Sequence, residues 1–211
     1  MYIVIEGAIG VGKTTLSRLL ASAFGADLLL EIFEENPFLA DFYSNREAYA
    51  FQTQIFFLLS RYHQQKKISK MLKENKFLIA DYTFAKDALF AGINLEGDEL
   101  ETYHSVHYAL AEKLAVPDLI VYLQADTEVL MQRIAHRDRP YERNMDRDYI
   151  DNLNRAYDDF FTSQELGKAV LSIDTNELNY IASEEDLNFV ITRIHQALEL
   201  PPFQTTLSLE N

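Results

Sequence analysis

A glycine-rich segment near the amino terminus places the strongest constraint on the fold of this chain. Residues 7–14 read Gly-Ala-Ile-Gly-Val-Gly-Lys-Thr, the spacing of a Gly-x4-Gly-Lys-Thr phosphate-binding loop. The apolar run 1–5 predicts a strand before this loop, and residues 13–24 predict a helix after it. Glycines permit the tight turn, and the helix N-terminus adds partial positive charge. The segment therefore predicts a nucleoside triphosphate site on a strand–loop–helix unit.

The residue types of the loop suit different parts of a nucleotide. The Lys13 ammonium reaches the outer phosphates, so Lys13 is predicted to be catalytic, and the Thr14 hydroxyl is a ligand for Mg²⁺. We therefore expect ATP as the phosphate donor, accompanied by Mg²⁺. The residues predicted to bind ATP are Gly7, Ala8, Ile9, Gly10, Val11, Gly12, Lys13, Thr14 and Thr15.

Strand and helix patterns alternate along the remaining chain. This alternation predicts an α/β fold with a five-stranded parallel sheet and helices on both faces, the P-loop NTPase type. One domain is expected over 1–200, with a polar tail at 201–211. Residues 47–74 predict one long helix, and further helices are predicted at 35–43 and 146–166. The further strands are predicted at 27–31, 76–81, 119–123 and 169–173.

Polar residues follow several of these strands. Ligands of parallel sheets bind beyond the carboxyl ends of the strands, so Gly7, Glu31, Asp81 and Gln124 are expected to line one cleft. Transfer of a phosphoryl group to a hydroxyl needs a carboxylate that accepts the proton, for which Glu31 is the candidate. Asp81 is the candidate partner of Mg²⁺. The alternatives are an exposed carboxylate at Glu31 and a helix N-cap at Asp81.

A cluster of arginines late in the chain predicts contact with an anion. Arg133 and Arg137 lie four residues apart on one helix face, and Arg139 follows in a charged loop. We predict these three arginines as catalytic and residues 137–145 as a lid that closes over phosphates. A solvated helix end is the alternative.

The composition restricts the partners. The net charge is −14, which argues against nucleic acid. The chain has no cysteine, which excludes disulfides and is compatible with a reducing cytosol. No apolar stretch approaches the length of a membrane span, so we expect a cytoplasmic protein that binds small molecules.

The motifs together resemble those of the deoxyribonucleoside kinases, most closely the bacterial purine branch of deoxyguanosine and deoxyadenosine kinases. The resemblance covers about residues 1–200 with consistent spacing. It is carried by the phosphate-binding loop, Glu31, and the segments 35–43, 51–61, 81–87 and 133–142.

The resemblance implies roles for individual residues. Glu31 matches the general base for the deoxyribose 5′-hydroxyl, and Tyr43 and Glu142 match the pair that bonds the 3′-hydroxyl. Arg133, Arg137 and Arg139 match the lid arginines. The remaining residues implied to bind substrate are the base readers Gln54, Arg61 and Asp87, together with Asp81 and a stacking aromatic, Phe84.

Three positions depart from the family pattern. Tyr82 stands where the family often has an arginine that contacts phosphate, which we interpret as a mark of the deoxyguanosine branch. Asp138 stands where glycine is usual in the lid, so lid flexibility is expected to differ. Ile32 follows Glu31 in place of the proline common in animal relatives.

We therefore predict an ATP-dependent purine deoxynucleoside 5′-kinase of nucleotide salvage, with strand order 2-3-1-4-5. The helices at 47–74 and 99–114 are expected to form a homodimer face. Three alternatives remain open: a deoxycytidine or broad-specificity deoxynucleoside kinase, a thymidylate-type monophosphate kinase, and a nucleotide-binding regulator without catalysis.

Overall fold

A five-stranded parallel sheet organises the protein, whose computed structural model describes residues 1–33, 35–75, 77–162 and 169–202. The order β2-β3-β1-β4-β5 confirms the predicted topology. All the neighbouring strands pair in parallel. The strands are β1 (Tyr2–Glu6), β2 (Asp27–Leu29), β3 (Leu78–Ala80), β4 (Leu119–Gln124) and β5 (Val170–Asp174).

Helices cover both faces of the sheet, as expected for central strands that are buried throughout. The helices are α1 (Lys13–Phe24), α2 (Leu39–Ser44), α3 (Arg46–Gln65), α4 (Ile68–Glu74), α5 (Lys86–Asn94), α6 (Gly97–Ala111), α7 (Thr127–Arg137), α8 (Arg147–Thr162) and α9 (Glu184–Ala197), with a 3-10 turn at Pro140–Glu142. In the described part of the chain, no helix combines the length and apolar character needed to cross a bilayer.

The single helix predicted over 47–74 is wrong, because the helix is interrupted at Lys66 and Lys67, between α3 and α4. The amide of Lys67 donates to the carbonyl of Gln64 at 3.1 Å, three residues back, which is the tighter spacing of a 3-10 turn. Helix α4 begins at Ile68, which is fully buried in a small core with residues of β1 and β3.

Two further boundaries differ from the sequence prediction. The helix expected from residue 35 begins at Leu39, because Pro37 disfavours helical backbone at Asn36. The Asn36 side chain instead accepts a hydrogen bond from the amide of Phe38 at 3.0 Å. The helix predicted over 146–166 is described as far as Thr162; residues 163–168, and residues 203–211 of the predicted tail, lie outside the described residues.

Candidate active site

The glycine-rich loop connects β1 to α1 with the backbone that its sequence requires. Gly7, Gly10 and Gly12 have φ angles of 147°, 91° and 104°, which L side chains rarely adopt. A Cβ on Gly10 would lie 2.8 Å from the carbonyl oxygen of Leu130, so the close packing of α7 also demands glycine. The Lys13 ammonium donates to the carbonyls of Gly7 and Ala8 at 2.7 and 3.0 Å, which folds the loop around it.

Asp81, directly after β3, joins the loop to the end of β2. Its Oδ2 accepts a hydrogen bond from the Thr14 hydroxyl at 2.6 Å, and its Oδ1 accepts one from the amide of Glu31 at 2.7 Å. Hydroxyl and carboxylate oxygens are the ligands that Mg²⁺ prefers. The adjacent oxygens of Thr14 and Asp81 therefore fit the predicted metal.

Glu31 lies between two cations at the entrance to an enclosed cavity. Its Oε1 accepts a hydrogen bond from Arg61 Nε at 2.7 Å, and its Oε2 accepts one from Lys86 Nζ at 2.7 Å. Burial acts to raise the pKa of this carboxyl, but Arg61 and Lys86 outweigh burial and lower the pKa to about 2. Glu31 is consequently an oriented carboxylate that is ionised at neutral pH.

Arg61, which lines the cavity with Glu31, also belongs to a second buried ion pair. The guanidinium of Arg61 contacts the carboxylate of Asp87, which is fully buried, and stacks over the Phe57 ring with 4.7 Å from its central carbon to the ring centroid. The buried Oε1 of Gln54 accepts no hydrogen bond from any described residue, yet Gln54 lines the cavity. A ligand that donates hydrogen bonds here would satisfy this oxygen.

The remaining cavity walls are largely aromatic. The rings belong to Phe33, Phe42, Phe57, Phe90, Tyr149 and Tyr157. Lys13, Thr14 and Asp81 line the same cavity at the end that meets the glycine-rich loop. A flat heterocycle with a polar edge suits such a site, with a phosphate chain beside it.

The predicted lid is held by Glu142, which is almost fully buried. Arg137 donates to Glu142 Oε2 from Nε at 3.0 Å, and Arg139 lies 3.5 Å from Oε1. The guanidinium carbon of Arg139 lies 4.2 Å from the centroid of the Phe33 ring. Tyr43 faces the lid, with its ring parallel to that of Tyr141 at a centroid distance of 6.1 Å. Burial raises the pKa of Tyr43, so its hydroxyl stays protonated.

Arg133 lies on the other side of the glycine-rich loop. It donates to the Thr175 hydroxyl at 3.0 Å and to the Val11 carbonyl at 3.3 Å, which ties α7 to the loop and to the segment after β5. Arg133 and Arg137 both line a second, open cavity that runs from the loop to residues 176–181. This cavity provides space for the body of a nucleotide whose phosphates lie on the loop.

Two residues expected at the site point elsewhere. Phe84 does not line the cavity of Glu31; its ring stacks on that of His107, with 4.8 Å between the centroids. Gln124 also lies outside the cleft, since its amide nitrogen donates to Asp158 of α8 at 2.8 Å.

Other cavity residues escaped the sequence analysis. Lys86 was missed because no motif marks it, although it lies one helical turn beyond the strand-end segment 81–83. The aromatic side chains of α5 and α8 look like ordinary core residues in the sequence. The missed residues include Lys86, Phe90, Tyr149 and Tyr157.

Comparison with known proteins agrees with this geometry. The sequence model described as "Deoxynucleoside kinase" matches residues 3–199. The chain belongs to the deoxynucleoside kinase family. It is 33% identical over 203 residues to the deoxyguanosine kinase of Bacillus subtilis, covering 93% of this chain and 97% of that protein. It is 31% identical to the deoxyadenosine kinase of Dictyostelium discoideum, covering 87% and 75%.

The fold is also shared with a solved member of the family. The deoxyadenosine kinase from M. mycoides, in complex with the products dCMP and dCDP, superimposes with a TM-score of 0.81 at 25% identity. The match covers 93% of this chain and 100% of that one. The protein is thus a deoxynucleoside kinase, an enzyme that transfers a phosphoryl group to a deoxynucleoside.

Proposed function

We propose that this kinase transfers the γ-phosphoryl group of ATP to the 5′-hydroxyl of a purine deoxyribonucleoside, deoxyguanosine and/or deoxyadenosine, for nucleotide salvage. One observation carries the proposal. Glu31 lies between the Asp81–Thr14 pair on one side and the cavity of Arg61 and Asp87 on the other. The relatives named deoxyguanosine and deoxyadenosine kinases support the choice of purines.

Each end of the site has its own task. The nucleobase lies in the aromatic cavity, where Gln54, Arg61 and Asp87 face its polar edge. The Glu31 carboxylate orients the 5′-hydroxyl and accepts its proton as the phosphoryl group is transferred. Tyr43 and Glu142 bond the 3′-hydroxyl of the sugar.

The donor side holds the phosphates and neutralises their charge. Lys13 and the amides of the glycine-rich loop bind the outer phosphates, and Arg133, Arg137 and Arg139 steady the transferred group. When Mg²⁺ is bound, Thr14 and Asp81 would hold it, and it would neutralise phosphate charge. When ATP is bound, its phosphates compete with the Glu142 carboxylate for the guanidinium groups of Arg137 and Arg139.

Coupled ADP release with deoxyguanosine, deoxyadenosine, deoxycytidine and thymidine tests the proposal. We expect turnover with at least one purine. Glu31→Gln should lower kcat by about 10²–10⁴-fold while MgATP still binds, because only the base is removed. Glu74→Gln is the matched control, since Glu74 is exposed on α4. An unchanged kcat in Glu31→Gln would contradict the role of Glu31.

The same assay separates the alternatives. A pyrimidine preference would favour a deoxycytidine or broad-specificity kinase, an outcome to consider because one relative is a deoxyadenosine/deoxycytidine kinase of Bacillus subtilis. Thymidine monophosphate is added to the panel, and its turnover in the absence of any nucleoside turnover would indicate a thymidylate-type enzyme.

We also propose a homodimer formed through α3 and α6. Leu59 on α3 and Tyr108 on α6 are large apolar residues that are 45% and 65% exposed. Light scattering that shows a monomer at micromolar concentration would contradict this proposal. A cytoplasmic location, where ATP is made, is proposed with it and is tested by cell fractionation.

A further inference from the structure

Lys86 is a buried cation that the family motifs do not include. It begins α5, where its backbone amide donates to the Thr83 hydroxyl at 3.2 Å, and its side chain is only 3% exposed. The ammonium lines the cavity and donates to Glu31 Oε2 at 2.7 Å. The lysine is therefore rigidly placed against the proposed base.

The balance of buried charge explains why a second cation is needed. Arg61 divides its guanidinium between two buried carboxylates, those of Glu31 and Asp87. Without Lys86, the buried carboxylates of Glu31 and Asp87 would share Arg61 as their ion-pair partner, and an uncompensated buried charge is strongly unfavourable. Lys86 adds a second cation beside Glu31, which also acts on the fully buried carboxylate of Glu6, and it leaves Arg61 available to hold Asp87.

Tyr82 packs beside the Lys86 ammonium. Its hydroxyl donates to Gln64 at 2.7 Å, which fixes the ring. The Lys86 ammonium lies 5.7 Å from the centroid of the Tyr82 ring, within the range of a cation–π contact. The tyrosine thus forms part of the seat of a lysine that follows one helical turn later.

We propose that Lys86 is a positioning residue of the kinase reaction, which fixes the Glu31 carboxylate toward the 5′-hydroxyl. This inference rests on the proposed function. Lys86 acts through Glu31, so its contribution exists only while the carboxylate is present.

The first test compares Lys86→Met, Lys86→Arg and the control Lys70→Met, which removes an exposed lysine of α4. Lys86→Met should lower kcat by about 10²-fold, because misplacement of a reacting group by about 1 Å has that effect, with little change in the KM for MgATP. Lys86→Arg should recover most of the loss. A kcat for folded Lys86→Met within about threefold of the Lys70→Met value would overturn the proposal, as would Lys86→Arg no faster than Lys86→Met.

The second test is a double-mutant cycle with Glu31→Gln. If Lys86 acts through Glu31, adding Lys86→Met to Glu31→Gln should lower kcat by no more than about threefold. Full additivity would overturn the proposal and indicate direct contact of Lys86 with the phosphoryl group.

The tests remain decisive if Lys86→Met does not fold, which thermal melting reveals. Lys86→Gln, which removes the charge but keeps a polar side chain, then replaces Lys86→Met in the wild-type and Glu31→Gln backgrounds. A loss of kcat that is equally large in both backgrounds would then refute the proposal. Turnover of a deoxynucleoside by the wild type tests the proposed function separately. If the wild type is active and the Lys86 variants keep its kcat, only the inference about Lys86 is refuted.

Discussion

Replacement of Asp87 by alanine tests the interpretation of the buried ion pair as the base-reading end of the site. Asp87 is fully buried and contacts the guanidinium of Arg61, which keeps only Glu31 as a partner in the variant. Loss of one member of a buried pair destabilises a protein by about 3 kcal/mol at the low end of the usual range. For a chain of this size, that loss corresponds to a fall in Tm of roughly 6–12 °C.

The effect on activity should depend on the nucleobase. A hydrogen bond to a charged group contributes about 1.5–3 kcal/mol, so kcat/KM for the best deoxynucleoside should fall about 10–150-fold. The differences in kcat/KM between nucleosides should decrease, because the carboxylate of Asp87 stabilises only bases that offer it a hydrogen-bond donor. The Kd for MgATP should stay within about twofold, since separate sites couple weakly.

The assay measures kcat/KM by coupled ADP release for four deoxynucleosides, MgATP affinity by calorimetry and Tm by scanning fluorimetry. Asp159→Ala is the matched control, because Asp159 is exposed on α8. Equal losses for every nucleoside and for ATP would refute the assignment, and an unchanged Tm would refute the argument about the ion pair.

Two further predictions concern stability. Burial lowers the pKa of His107 below its usual 6.5, despite its contact with the Phe84 carbonyl. As the pH falls, the unfolded chain therefore binds a proton at this histidine before the folded chain does. Tm should consequently fall as the pH drops below about 6.5. His107→Gln should flatten this acid slope in melting curves, whereas the exposed control His136→Gln should not; identical slopes for both would contradict the assignment. Asp138 has a left-handed φ of 48°, so Asp138→Ala should lower Tm by about 2–4 °C and Asp138→Gly by less. A glycine variant that melts below the alanine variant would show that the Asp138–Arg143 ion pair outweighs the backbone term.

Features encoded by neighbouring residues were predictable from the sequence. The glycine-rich loop is a local backbone requirement, and the buried strands are short apolar runs, so both lie where the sequence predicts them. The predicted strand order is also confirmed. Glu31 and Asp81 could be proposed from the sequence because they come at or shortly after the ends of β2 and β3.

The acceptor cavity was harder to predict, because it depends on how helices pack. Lys86 and Phe90 lie on the face of α5 that lines the cavity, and only the placement of this helix determines which face that is. Phe84, which the sequence suggested as a stacking residue, packs on His107 instead. The interruption between α3 and α4 was also missed, because the residues on both sides of it favour helix.

The two hydrogen bonds of Asp81 have a mechanical consequence. Its carboxylate accepts one hydrogen bond from the Thr14 hydroxyl in the first turn of α1 and another from the Glu31 amide in the backbone beyond β2. A cation that bound one of these oxygens would shift the Asp81 carboxylate, and with it the backbone that is hydrogen-bonded to the other oxygen. Binding on the donor side would in this way affect how Glu31 orients the acceptor hydroxyl. The connection passes through the single side chain of Asp81.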